Sequence, residues 1–310
     1  MRKEILFAII AGGAFGLLIA FGAWKANAIL KSKSTPSSSS TPLASNIPTA
    51  TSSTNQEFKI VLQNLVNNQL ATDTPIAISG TTNPNTWVVI SGEDGDSIID
   101  ASTSGGFSAN TDLEGGVNQI IVSGFDENGN EADANLNLVF SSQFQKDPTQ
   151  QGEALSYVGT ITDITNSVIQ IKNDAGDIEQ INPTASANFI DTRNNDTKII
   201  KQTDVAIGDY LIAMGYKDAN NILQATRVVV SDAVIKTDRV AFYGIVIDTE
   251  TGTVTVKNPN SNTTVTVTPN TDATIAGDDT FSQIKTGDKI IAAGEFKEGN
   301  IDARSIQVLK

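Results

Sequence analysis

The chain has 310 residues, a net charge of −14, and neither Cys nor His. That composition excludes disulfides, thiolate metal sites, Ser-His-Asp triads and His-ligated zinc, and it removes the side chain best suited to proton transfer near neutrality. Beyond residue 33 there are 16 basic and 34 acidic residues, a surface that repels phosphate backbones, so no nucleic-acid partner is expected.

Ile5 to Trp24 carries no charge and is closed by Lys25. Its length matches a hydrocarbon layer of about 30 Å at helical rise, with Trp24 where an interfacial ring belongs. Residues 1–31 are therefore expected to be a membrane anchor, with one transmembrane helix over about 5–24. Ala26-Asn27-Ala28 fits a cleavage site, so a removable signal peptide stays open as the alternative. Arg2 and Lys3 precede the helix, Lys25, Lys31 and Lys33 follow it, and charge alone leaves orientation ambiguous. The composition downstream reads as exported material, which places the N-terminus inside and the folded region outside. Ala8, Gly12, Gly16 and Ala20 form a small-residue stripe that could support helix–helix association, although small residues are common in such helices. Residues 32–56 are rich in Ser, Thr and Pro and are expected to be a disordered linker.

Residues 57–142 read as short β-rich runs between Gly, Asn and Asp turns. Seven strands are expected: Phe58–Gln63, Pro75–Gly80, Thr86–Ser91, Ser97–Ala101, Gly106–Thr111, Val117–Phe125 and Ala132–Ser141. That count and spacing suggest an immunoglobulin-like sandwich, with Trp87 on the third strand as a core residue. The strings TPIAISGTTNPNTWVVISG and GGFSANTDLEGGVNQIIVSGFDENGNEA resemble bacterial extracellular Ig-like domains of the kind appended to secreted glycan-active enzymes, similar to the glucodextranase B-type domain. The resemblance implies a sandwich and its turns, and no catalysis.

After a linker over 143–155 the chain is duplicated, as 156–232 and 239–310. Val158-Gly159 begins a stretch matching Tyr243-Gly244 onward, Pro183, Ala187 and Phe189 match Pro269, Ala273 and Ile275, and Gly208–Val230 matches Gly287–Leu309. The first copy is longer by seven residues before Gly208, marking an enlarged loop around Thr192–Asp196. Each copy reads as about six short strands, which a small barrel would close without exposed edges. The copies resemble an uncharacterised bacterial family of small OB-like β-barrels, which implies the fold and is silent on activity. The expected fold class is thus all-β: a transmembrane helix, an Ig-like sandwich and two tandem barrels.

Asp126-Glu127-Asn128-Gly129-Asn130 resembles half of a calcium loop but lacks its closing glutamate, and Asn-Gly between strands signals a hairpin. The turn is the leading reading. For calcium as a cofactor, the ligands would be Asp126, Asn128, Asn130 and Asp133, with Asn83 and Asn85 at the same end. Glu93-Asp94-Gly95-Asp96 and Asp278-Asp279 read as solvated acidic turns. Tyr157, Tyr210, Tyr216 and Tyr243 suggest either a sugar-stacking platform or packing at the core edge, with packing preferred. No catalytic constellation is evident. The expected role is a non-enzymatic, membrane-anchored surface protein for display, spacing or adhesion. A polysaccharide-binding module and an accessory subunit of a membrane complex stand as alternatives, with a surface glycan or protein as partner.

Overall fold

The computed structural model describes residues 58–144, 154–234, 237–276 and 280–309, leaving aside the side chain of residue 195. The expected membrane helix, its small-residue stripe, the Ser/Thr/Pro linker and Asp278-Asp279 lie outside these residues. Among the described residues no helix is long and apolar enough to cross a membrane.

The first region has eight strands: β1 Val61–Gln63, β2 Gln69–Ala71, β3 Ile76–Thr81, β4 Trp87–Ser91, β5 Asp96–Asp100, β6 Gly106–Thr111, β7 Gly116–Phe125 and β8 Glu131–Phe140. One sheet has the order β1-β3-β6, and the facing sheet runs β5-β4-β7-β8-β2. Side chains alternate across each strand, so Val88, Ile90, Ile120, Val122, Leu136 and Leu138 fill the space between the sheets with Ile78 and Phe107. The seven expected strands are present with modest boundary shifts, and β2 is an addition. Asn64 (φ 65°) and Asn68 (φ 60°) adopt left-handed backbone that Asn tolerates, and between them the chain leaves one sheet for the other. There β2 joins β8 in parallel register, Gln69 opposite Leu138.

The duplicated region forms two small barrels of five strands each, four of them long and one short, rather than about six short ones. In the first, β9 Ala154–Thr165, β10 Val168–Lys172, β11 Ile178–Asp191, β13 Tyr210–Lys217 and β14 Leu223–Ser231 close in the order β9-β10-β11-β14-β13, with β13 returning to β9. The enlarged loop contributes a short 3-10 turn, Arg193–Asn195, and β12 Lys198–Ile200, an edge strand on β11. In the second, β15 Arg239–Glu250, β16 Thr253–Lys257, β17 Thr264–Ala276, β18 Lys289–Lys297 and β19 Asn300–Leu309 close as β15-β16-β17-β19-β18. The third and fifth strands of each barrel are parallel, and their register breaks at the matched prolines, Pro183 and Pro269. Proline has no N–H to give a ladder, so both copies bend there. The cores match as well: Ile169, Ile171, Ile181, Leu223 and Ala225 in one, Val254, Val256, Val267, Ile301 and Ala303 in the other.

Two pairs of glycines let the barrels turn their corners. A Cβ on Gly159 would lie 2.3 Å from the Lys172 carbonyl oxygen, and one on Gly244 would lie 2.6 Å from that of Lys257. Gly215 and Gly294 repeat the arrangement, each with a carbonyl oxygen at 2.1 Å. Close backbone approach, not local flexibility, requires glycine at these sites.

Candidate functional site

Both barrels sit on the outer face of the sandwich's five-stranded sheet. Strands packed on one side only alternate apolar and polar residues, whereas strands packed on both sides do not. β4 (WVVIS), β13 (YLIAMGYK) and the first half of β18 (KIIAA) are almost continuously buried, because one face of each fills its own core and the other meets the neighbouring domain.

The first barrel docks Val158, Tyr210, Ile212, Met214 and Tyr216 against Leu70, Val139 and Phe144. A bridge between Gln69 and Leu155 makes β9 continuous with the sandwich sheet. The second barrel docks Ala241, Tyr243, Ile291 and Ala293 against Val89, Phe125 and Trp87. Ile212 and Met214 occupy the positions of Ile291 and Ala293, so each barrel uses its first and fourth strands for the same purpose.

Polar contacts add register at the second interface. The Arg239 guanidinium is almost fully buried and donates to both carboxylate oxygens of Glu93, at 2.6 and 3.1 Å, and to the Gln119 carbonyl. Burial alone would raise the Glu93 pKa. The hydrogen bonds from Arg239 and from the Gln119 N–H, with the Arg239 and Arg304 charges, outweigh it and hold the pKa below its ordinary value. Arg304 reaches the same turn, with Asp96 at 2.5 Å and the Gly92 and Glu93 carbonyls at 3.0 Å each. Glu93 and Asp96 were expected in a solvated turn; instead they clasp two arginines of the second barrel, and the Asp96 side chain is fully buried. The first barrel carries Ala154 and Thr226 at the matching positions, and that difference between the copies was the sequence signal for these arginines.

The Asp126–Asn130 segment is a hairpin turn between β7 and β8. Asp126 Oδ1 accepts from the Asn128 and Asn130 N–H groups at 2.9 Å each, and its Oδ2 accepts from Asn130 Nδ2 at 2.7 Å. The second barrel then covers the turn. Tyr243 Oη donates to the Glu127 carbonyl at 3.1 Å, Asn258 Nδ2 to that of Gly129 at 3.2 Å, and Asn260 Nδ2 to Asn130 Oδ1 at 3.1 Å. Of the residues considered for calcium, Asp126 and Asn130 are thus engaged in turn and docking contacts, and Asn128 contributes its N–H to the turn. Asp133 stands apart on β8. Asn83 and Asn85 precede β4 at the same end, where Trp87 pairs with Phe125. Among the described residues no cluster of three or more His, Cys, Asp or Glu side chains is placed to hold a metal.

The four tyrosines form no stacking platform. Tyr157 packs in the first barrel core, Tyr210 and Tyr216 in its interface, and Tyr243 in the second interface. Burial, and secondarily Asp174, pushes the Tyr210 phenol up to about 12. Trp87 is likewise displaced from its expected place: it lies on the outer face of the sheet, stacked on Tyr243, rather than between the sheets.

The docking leaves a cleft of about 850 Å³ between the β7–β8 outer face and the second barrel. Glu131, Asp133, Asn135 and Asn137 line one wall, and Val240, Phe242, Val265 and Phe296 line the other, with Asp174 and Asp238 at the margins. Glu131 keeps solvent-accessible surface, yet the surrounding domains displace bulk water from it. This desolvation, with the Asp133 charge beside it, pushes its carboxyl up to about 7.

No family model and no curated protein matches the chain. Among solved structures, one described as "Crystal structure of tetra-tandem repeat in extending region of large adhesion protein" is similar over 81% of this chain and 72% of that chain. The identity is 19% and the TM-score 0.23.

Proposed function

We propose that this is a non-enzymatic surface protein, anchored in a membrane by its N-terminal helix and presenting an Ig-like sandwich with two OB-like barrels outside the cell for display, spacing or adhesion. The observation that carries this reading is the double docking. Both barrels are packed by equivalent strands onto one sheet, within a single compact unit spanning Gln56–Lys310. A solid head of this kind suits presentation at a distance from the bilayer. The sequence supplies the spacer in residues 32–56 and the anchor in Ile5–Trp24. The acidic surface and the absence of Cys and His accord with a role built on contact rather than catalysis.

The test is protease shaving of intact cells carrying a tag after Lys310. Loss of the tag is expected. Protection, with an intact envelope and a cleaved surface marker as controls, would overturn the surface placement. Hydrolysis of a glycan or peptide by the purified chain, abolished by an acidic-residue substitution, would overturn the non-enzymatic assignment.

A further inference from the structure

We propose that the cleft between β7–β8 and the second barrel binds a neutral, hydroxyl-rich saccharide chain. This names a partner for the surface role above and rests on it for biological setting. The argument for the site is separate and comes from the chemistry of its two walls.

Along β8, Glu131, Asp133, Asn135 and Asn137 face the cleft, while Leu136 and Leu138 between and beside them face the sandwich core. One strand therefore presents four planar, oxygen-bearing side chains in a row, spaced by about 6.6–6.8 Å, the two-residue repeat of a strand. Among the described residues none of these four side chains has a hydrogen-bond partner. Across the gap stand Val240, Phe242, Val265 and Phe296, the last 40% exposed. A ligand in this cleft meets a polar ladder on one side and an apolar wall on the other. A pyranose ring is divided the same way, into C–H faces and a hydroxyl-bearing edge. The volume, about 850 Å³, is ample for an oligosaccharide.

The polar wall also selects among ligand classes. Asp133 and Asp238 as carboxylates accept only, whereas the Asn135 and Asn137 carboxamides both donate and accept. An ammonium ligand, which only donates, would suit the carboxylates and leave the amide N–H groups facing other donors. A phosphate- or carboxylate-bearing polymer would meet like charge from Asp133, Asp174 and Asp238. Hydroxyl groups donate and accept, and so satisfy both kinds of side chain.

The experiment is isothermal titration calorimetry on the intact chain, held in a polyoxyethylene detergent so that no sugar headgroup competes. The probes are cellohexaose, maltohexaose and chitohexaose, with spermine and polygalacturonate as the cationic and anionic comparisons. Saturable binding of at least one neutral hexasaccharide is expected. Asn135→Ala and Phe296→Ala should each weaken it about tenfold while thermal unfolding stays unchanged, since both side chains are exposed. The proposal is overturned if all three hexasaccharides fail to bind, if both variants bind as the parent does, or if spermine or polygalacturonate binds in their place. A blank titration would remove the ligand assignment alone, because surface placement is read independently by protease shaving.

Discussion

Trp87 of the sandwich stacks on Tyr243 of the second barrel, with ring centroids 5.3 Å apart and 26° between the planes. The first barrel separates these residues in sequence, so the contact ties the end of the fold to its beginning. Tyr243 has no exposed surface, and its hydroxyl donates to Glu127. Tyr243→Phe should therefore cost about 1 kcal/mol, the worth of one hydrogen bond. Tyr243→Ala should cost about 3–5 kcal/mol, as large-to-small changes of a buried aromatic do. Urea unfolding of both variants checks the order. Equal losses would show that the hydroxyl, not the ring, holds the interface.

Arg239 and Glu93 pair across the same interface, with the guanidinium almost fully buried. Arg239→Ala should destabilise by about 3–5 kcal/mol, because it strands a partly buried carboxylate as well as removing packing. Arg239→Met with Glu93→Leu should recover part of that loss, since no charge is then left unpaired. A double-mutant cycle by denaturant unfolding measures the coupling. Additive costs would mean that the guanidinium acts through packing alone.

Acid should loosen this interface. The Glu93 pKa is held below its ordinary 4.5 in the folded protein, so the group contributes stability above about pH 4.5 and loses it as pH falls through the folded value. Limited proteolysis between pH 7 and pH 3 should show the second barrel becoming susceptible at the acid end. In Glu93→Gln that acid-dependent increment should shrink.

These contacts mark which parts of the fold the sequence carries and which depend on docking. The duplication, the barrels and the β7–β8 alternation were legible, because periodicity and repetition are properties of the chain itself. Strand β2 was not: three residues carry too little pattern, and it exists because the chain changes sheets at Asn64 and Asn68. The Glu93–Asp96 and Asp126–Asn130 segments carry turn composition in the sequence, but what covers a turn, and so whether it stays solvated, is decided by a domain folded elsewhere. Traces of that docking were nonetheless present. The nearly unbroken apolar runs at Trp87–Ser91 and Tyr210–Tyr216 reflect burial on two faces, and Arg239 and Arg304 have no counterpart in the first repeat. Of the cleft's polar row, the sequence marks Asp133 as a calcium candidate, and the cleft itself exists only once the second barrel has docked.

The paired glycines give a test of the duplication in energetic terms. Gly159→Ala and Gly244→Ala each bring a methyl against a backbone carbonyl, with gaps of 2.3 and 2.6 Å. Each should cost about 1–3 kcal/mol through overpacking. Similar costs from calorimetric melting would show that the two barrels turn their first corner by the same means. A loss at one site only would show that one copy relaxes where the other cannot.

Glu131 offers a prediction of opposite sign. Its carboxyl is pushed up to about 7 by desolvation in the cleft and by Asp133, against an ordinary 4.5. The folded state therefore favours the protonated acid, and the stability this gives is fully present below about pH 4.5 and lost as pH rises through about 7. Glu131→Gln removes the charge for good. The variant should match the parent near pH 4 and exceed it above pH 8 by about 1 kcal/mol, a value reduced for the water that reaches the cleft. Urea unfolding at both pH values reads the difference. If the two proteins stay equally stable at pH 8, Glu131 ionises as a solvated carboxylate and the cleft is open to bulk water. If the gap opens as expected, the cleft walls are close enough in solution to exclude part of that water, as a binding site between them requires.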